Sequence, residues 1–236
     1  MNFTCKPAGD QAVLVEFENI IAKDTNARVR NLASLVEKET STGFGEVILG
    51  YRTLLIHYDP VRLSYEQVVK RLKQWGEMDY NSISSASRTV RVPVLYGGEW
   101  GPDLNDVAVH NNLSPEEVIS IHSGGEYLVY FLGFTPGYPF MGGMSEKIST
   151  PRLPSPRVSI PAGSVGIAGN QTGIYPVKSP GGWRLIGRTP LKLYDPEREK
   201  PFLFESGDIV RFEVITYEEF IEIEEQNELS IFTLQG

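Results

Sequence analysis

Six side chains between positions 157 and 188 have the chemistry to recognise a small acidic or amide-bearing molecule: Arg157, Gln171, Thr172, Tyr175, Trp183 and Arg188. Two guanidinium groups can fork onto a carboxylate, phosphate or carbonyl, an amide and a hydroxyl add hydrogen bonds, and aromatic rings supply walls. Phe134 and Tyr138 extend those walls upstream. His122 immediately precedes the same region. A plainer use exists for each of them. Arginines pair with Asp or Glu, aromatics fill cores, and a histidine at a helix C-terminus is favoured by the helix dipole when protonated. The residue types alone leave the two uses balanced.

Other chemistries fit less well. Glycines 163, 166, 169 and 173 match neither the dinucleotide fingerprint nor the P-loop, and Pro176 and Pro180 prevent the helix whose N-terminus would hold phosphate. Ser164 lies in Ala-Gly-Ser-Val-Gly, which lacks the first glycine of a nucleophile elbow. His57, His110 and His122 have no metal-ligand spacing, and Cys5 is the sole cysteine, so no bound metal is expected. A net charge of −8 argues against nucleic acid as a partner. No apolar run is long enough for a membrane span and the N-terminus has no signal-peptide pattern, so a cytoplasmic location is expected. The acidic run Tyr217–Glu228 reads as a solvated helix or strand.

The elements that must position these residues fall into two differently built halves, since eleven of the sixteen prolines follow Tyr130. Alternation over 11–17, helical spacing from an Asp24 cap to Thr40, a hairpin over 44–58, a Ser64–Gln67 capping box and a strand over 88–94 give the order β-α-β-β-α-β. A polar, serine-rich linker over 75–87 follows the second helix, and the strand after it fits either half. Asp103–His110 is expected to be a short helix. Ser114-Pro-Glu-Glu117 starts another, which carries His122 at its end. From Phe131 to Pro190, glycines and prolines alternate with apolar residues, which specifies shaped turns on a rigid β surface rather than a solvated linker. Short strands over 191–194, 202–204 and 209–214 complete what reads as a closed β-barrel. The expected domains are 1–87 and 88–236, in an α+β chain.

Several long motifs are recognisable: Gly133-Phe-Thr-Pro-Gly-Tyr-Pro-Phe-Met-Gly-Gly143, Pro161-Ala-Gly-Ser-Val-Gly166, Gln171-Thr-Gly-Ile-Tyr-Pro176 and Ser179-Pro-Gly-Gly-Trp183 with Ile186-Gly-Arg-Thr-Pro190. They resemble the allophanate hydrolase subunit 1 family, also called the KipI family, over nearly the whole chain. The resemblance implies a ferredoxin-like N-terminal domain followed by a cyclophilin-like β-barrel. It also implies a non-autonomous subunit of an ATP-dependent 5-oxoprolinase, opening 5-oxo-L-proline to L-glutamate, with ATP and Mg as cosubstrate of the complex. The implied partners are a subunit 2 homologue, equivalent to the C subunit of a 5-oxoprolinase or a KipG-like chain, and a separate third chain, the A subunit. Two alternatives come with the family: inhibition of a sporulation sensor histidine kinase, and a carboxyltransferase-like role in a urea or allophanate pathway.

Overall fold

A computed structural model describes residues 2–39, 42–77 and 88–226. The chain divides into two compact units, Met1–Ala86 and Ser87–Gly236. The expected linker falls mostly on 78–87, outside the described residues, as does the end of the acidic run beyond Gln226. Among the described residues, no helix is long and apolar enough to cross a membrane.

In the first unit, β1 (Thr4–Pro7), β2 (Ala12–Glu16), β3 (Phe44–Leu49) and β4 (Thr53–Tyr58) form a sheet of order β1-β2-β4-β3. Two helices complete the unit, α1 (Lys23–Glu37) and α2 (Tyr65–Gly76). Their apolar stripes, Val29-Leu32-Ala33-Val36 and Val68-Leu72, share one core with Val13, Val15, Leu54 and Ile56. The Ser64 capping box forms as expected, its hydroxyl accepting the Gln67 N–H while the Gln67 side chain accepts the Ser64 N–H. Asp24 does not cap α1. It sits in the first turn behind Ala22, where a carboxylate still favours the positive end of the helix.

The expected β-α-β-β-α-β string is changed at its ends. β1, which the alternation does not reveal in four mostly exposed residues, pairs with β2 and completes the sheet. The strand after α2, β5 (Thr89–Tyr96), belongs to the second unit. There it joins β6 (Tyr127–Leu132), β7 (Pro139–Gly142), β9 (Ser164–Ala168), β10 (Gln171–Ile174), β12 (Arg184–Arg188) and β13 (Ile209–Val214) in the order β10-β9-β12-β5-β13-β6-β7. The end strands β10 and β7 approach each other, so the sheet nearly closes into a barrel. All its pairings are antiparallel except β5 with β13. A two-stranded ribbon, β8 (Arg157–Ile160) with β11 (Ser179–Gly181), stands apart from it.

Helices α3 (Leu104–Asn111), α4 (Pro115–Ser123) and α5 (Tyr217–Glu225) complete the second unit. The Phe131–Pro190 stretch is thus more regular than its glycines and prolines imply, with six short strands, β7 to β12, between its turns. The expected strands over 191–194 and 202–204 reduce to one bridge, Tyr194 with Phe202. The acidic run is helical as far as Glu225 and is pinned by one buried ring, Phe220.

Candidate functional site

Tyr138, Tyr175 and Trp183 come together from three elements and meet edge to face. Their centroids lie 5.7, 6.0 and 6.5 Å apart, with interplanar angles of 81°, 83° and 80°. This is the arrangement that ring quadrupoles prefer. Ile160, Ala168 and Leu185 close the cluster, with Phe140 packed against it. Two glycines of the sequence motifs exist to admit these rings. A Cβ on Gly173 would lie 2.6 Å from the Tyr138 hydroxyl and 3.0 Å from the Trp183 ring, and one on Gly181 would overlap the Tyr175 hydroxyl. The three rings are buried, Trp183 the least so at 9% exposure. Burial pushes the Tyr175 phenol up, against the opposing pull of the Trp183 backbone and of Arg152 and Arg157.

Arg157 opens β8 and reaches Asp103, at the start of α3, through two hydrogen bonds of 2.8 and 2.9 Å. Asp103 is buried, and it also accepts the Leu185 N–H at 2.7 Å. The carboxylate therefore ties α3, β8 and β12 together instead of capping its own helix, and it raises the arginine's pKa further. Arg188, at the end of β12, donates to the Ala162 carbonyl at 3.0 Å. Gln171 begins β10, opposite Ala168 across a two-residue turn in which Gly169 takes φ +59°. Glycines 163, 166, 169 and 173 fall largely in this β9–β10 hairpin, with no helix N-terminus behind it, a geometry that does not fit ATP phosphates.

His122 is fully buried at the end of α4, stacked on Phe212 at 4.4 Å. The Thr172 hydroxyl donates to the Gly166 carbonyl at 3.1 Å and lies 2.8 Å from His122 Nε2. With that proton committed, Nε2–H donates to Thr172, and Nδ1 accepts the Tyr96 hydroxyl at 2.8 Å. Burial lowers the imidazole pKa to about 3, so the ring is neutral near pH 7. His122 and Thr172 thus form a satisfied polar chain inside the barrel core. Both lie under the surface, with their polar atoms already bonded within the protein.

Phe134 is placed differently. It is 75% exposed, with its ring edge-on to Tyr138 at 5.9 Å. None of the nine expected residues lines an open cleft of about 700 Å³ on the first unit, or a groove of about 280 Å³ beside α5 on the second. The structure thus gathers Tyr138, Tyr175 and Trp183, with Arg157 beside them, and separates these from the His122–Thr172 pair. Asp103 was missed as the partner of Arg157 because the two are 54 positions apart and no local signal joins them.

The family model for the carboxyltransferase domain, subdomain C and D, matches residues 3–204. The B subunit of 5-oxoprolinase from Bacillus subtilis (strain 168) is 44% identical over 242 residues, covering 96% of this chain and 99% of that one. The crystal structure of a conserved uncharacterized protein from Pyrococcus horikoshii is 48% identical, over 92% of this chain and 100% of that one, with a TM-score of 0.56. The K. lactis urea amidolyase shares the fold at a TM-score of 0.74 and 23% identity, over 99% of this chain but only 16% of that one. The chain belongs to the carboxyltransferase domain, subdomain C and D family, and is related along nearly its full length to the B subunit of 5-oxoprolinase.

Proposed function

We propose that this chain is the B subunit of a 5-oxoprolinase, acting with companion subunits to open 5-oxo-L-proline to L-glutamate at the expense of ATP. The observation that carries the reading is the 44% identity to a B subunit of nearly equal length. At that identity and coverage both units are retained, not just a shared barrel. A component lettered B calls for companions, which we identify with the A and C subunits of the same enzyme. In K. lactis urea amidolyase the same fold is embedded in a far longer chain, which supports a unit that works beside others. We place the complex in the cytoplasm.

In this reading the first unit is a ferredoxin-like variant in which β1 takes the edge that a strand after α2 would fill. The second is a cyclophilin-like barrel. ATP, with Mg, supplies the driving force for hydrolysis of an unreactive amide. Because the glycine run here is a hairpin, we assign the nucleotide to another subunit. What this chain offers is a rigid aromatic cluster, with the Asp103–Arg157 pair holding the strands around it. Among the expected site residues, Phe134 is exposed and Arg157, Gln171 and Arg188 are partly so, which leaves them surface for a ligand or partner.

The test is release of glutamate and ADP from 5-oxo-L-proline and ATP by co-purified subunits, against a matched preparation lacking this chain. Activity that disappears on omission is expected. Equal activity with and without the chain would end the assignment. A fully assembled but inactive complex would redirect it to histidine kinase inhibition or another amide.

A further inference from the structure

Two irregularities converge on the turn between β6 and β7. The Thr135 N–H donates to the Gly133 carbonyl at 2.7 Å around Phe134, whose φ is +64°. That is a γ-turn in its positive-φ form, a rare and strained conformation for which a bulky side chain is ill suited. This γ-turn sits inside a wider turn closed by Gly133 N–H to Tyr138 O at 3.1 Å and Tyr138 N–H to Thr135 O at 3.1 Å. Within the same turn the buried Thr135 hydroxyl has no hydrogen-bond partner. A segment that retains an uncommon backbone and an unsatisfied hydroxyl gains little from them in the isolated chain.

What the turn achieves is display. Phe134 stands 75% exposed on a base, Tyr138, that is only 3% exposed. The ring meets its base edge to face and projects beyond it, so it is a knob and needs a pocket elsewhere. Gly137 of the same turn packs against Phe202, which is 40% exposed and stacked on Tyr194 at 5.4 Å. Of the charges next to this second pair, Lys192 and Arg198 meet Asp195 and Lys200 meets Glu205, while the exposed Glu197 and Glu199 add negative charge around it. This places aromatic residues within a charged rim, the arrangement of an interface core.

We propose that the Gly133–Tyr138 turn is the knob by which this chain docks onto another subunit of its complex, with Phe134 anchored in an apolar pocket of that subunit and Phe202 flanking it. The inference rests on the 5-oxoprolinase reading above. It commits to a protein partner whose contact surface is concave and apolar at its centre.

The experiment uses the full chain co-expressed with the A and C subunits of 5-oxoprolinase, comparing wild type, Phe134→Gly, Phe134→Asp and the control Val158→Asp. Val158 is 92% exposed on β8. Phe134→Gly removes the ring and relieves the backbone together, so its melting temperature is expected to equal or exceed that of wild type while its affinity for the companions falls at least tenfold. Phe134→Asp should abolish co-purification, and Val158→Asp should assemble within about threefold of wild type. A stably folded Phe134→Gly chain that assembles like wild type overturns the docking proposal alone. Failure of the wild-type chain to assemble with either companion overturns the 5-oxoprolinase reading, and the docking with it. Self-association that depends on Phe134, with companion binding unaffected, assigns the knob to a second copy and overturns the proposal as stated.

Discussion

His122 shows how a residue with catalytic chemistry can be given a structural task. Its ring is neutral because burial lowers its pKa to about 3, well below the ordinary 6.5. The sign of the resulting pH dependence follows directly. A depressed folded-state pKa means that the unfolded chain takes up a proton first, so this contribution is complete above about pH 6.5 and is lost as pH falls toward 3. One proton corresponds to about 1.4 kcal/mol per pH unit, so stability should drop by about 2 kcal/mol between pH 7 and pH 5 from this residue. Urea unfolding of wild type and His122→Gln at both pH values isolates the increment, and parallel losses in the two proteins would contradict it. Arg157 makes a second case. Its removal leaves Asp103 buried with only the Leu185 N–H, a loss of about 3 kcal/mol. Arg157→Lys, which cannot form the two-pronged contact, should recover little of it. Thermal melts test this apart from catalysis; an Arg157→Ala protein as stable as wild type would return the arginine to the ligand-binding role that its residue type alone allowed.

At the scale of elements, glycines decide how the aromatic cluster fits. Gly173→Ala and Gly181→Ala each force a methyl group into a tyrosine hydroxyl, and each should destabilise by about 2 kcal/mol through overpacking. Gly169→Ala meets nothing within 4 Å, and only its φ of +59° resists, at about 1 kcal/mol. Melting temperatures should therefore rank Gly169→Ala above the other two; the reverse order would mean that the rings move aside freely. The glycine pattern was legible in the sequence as shaped backbone, and the interleaved aromatics as packed mass. Which ring each glycine faces was not legible, because Gly173 meets Tyr138 across 35 positions and that pairing exists only once the barrel nearly closes. Local signals fared better: the Ser64 and Ser114 capping boxes are both present, since each is complete within four residues. The boundary at β5 was the hardest to read. An apolar strand after a helix completes either sheet equally well by pattern, and the deciding fact is a parallel partner, β13, more than a hundred residues later.

For the whole molecule, that strand fixes where the chain can be divided. β5 lies in the middle of the seven-stranded sheet, with β12 on one side and β13 on the other, and Val90, Val92 and Val94 enter the barrel core. The first unit does not need it, because β1 already supplies the edge next to β2. A fragment starting at Arg88 should therefore fold cooperatively on its own. One starting at Gly97 should not, because losing a central strand exposes the core valines and leaves two rows of backbone groups unpaired. The complementary fragments behave asymmetrically: 1–77 should be folded, and extending it to Tyr96 should add an unpaired apolar strand that promotes aggregation and adds no stability. Circular dichroism melts and sedimentation of the four fragments make the comparison. A folded 97–236 fragment, or a 1–96 fragment more stable than 1–77, would show that β5 serves the first sheet, as the β-α-β-β-α-β pattern alone would have it.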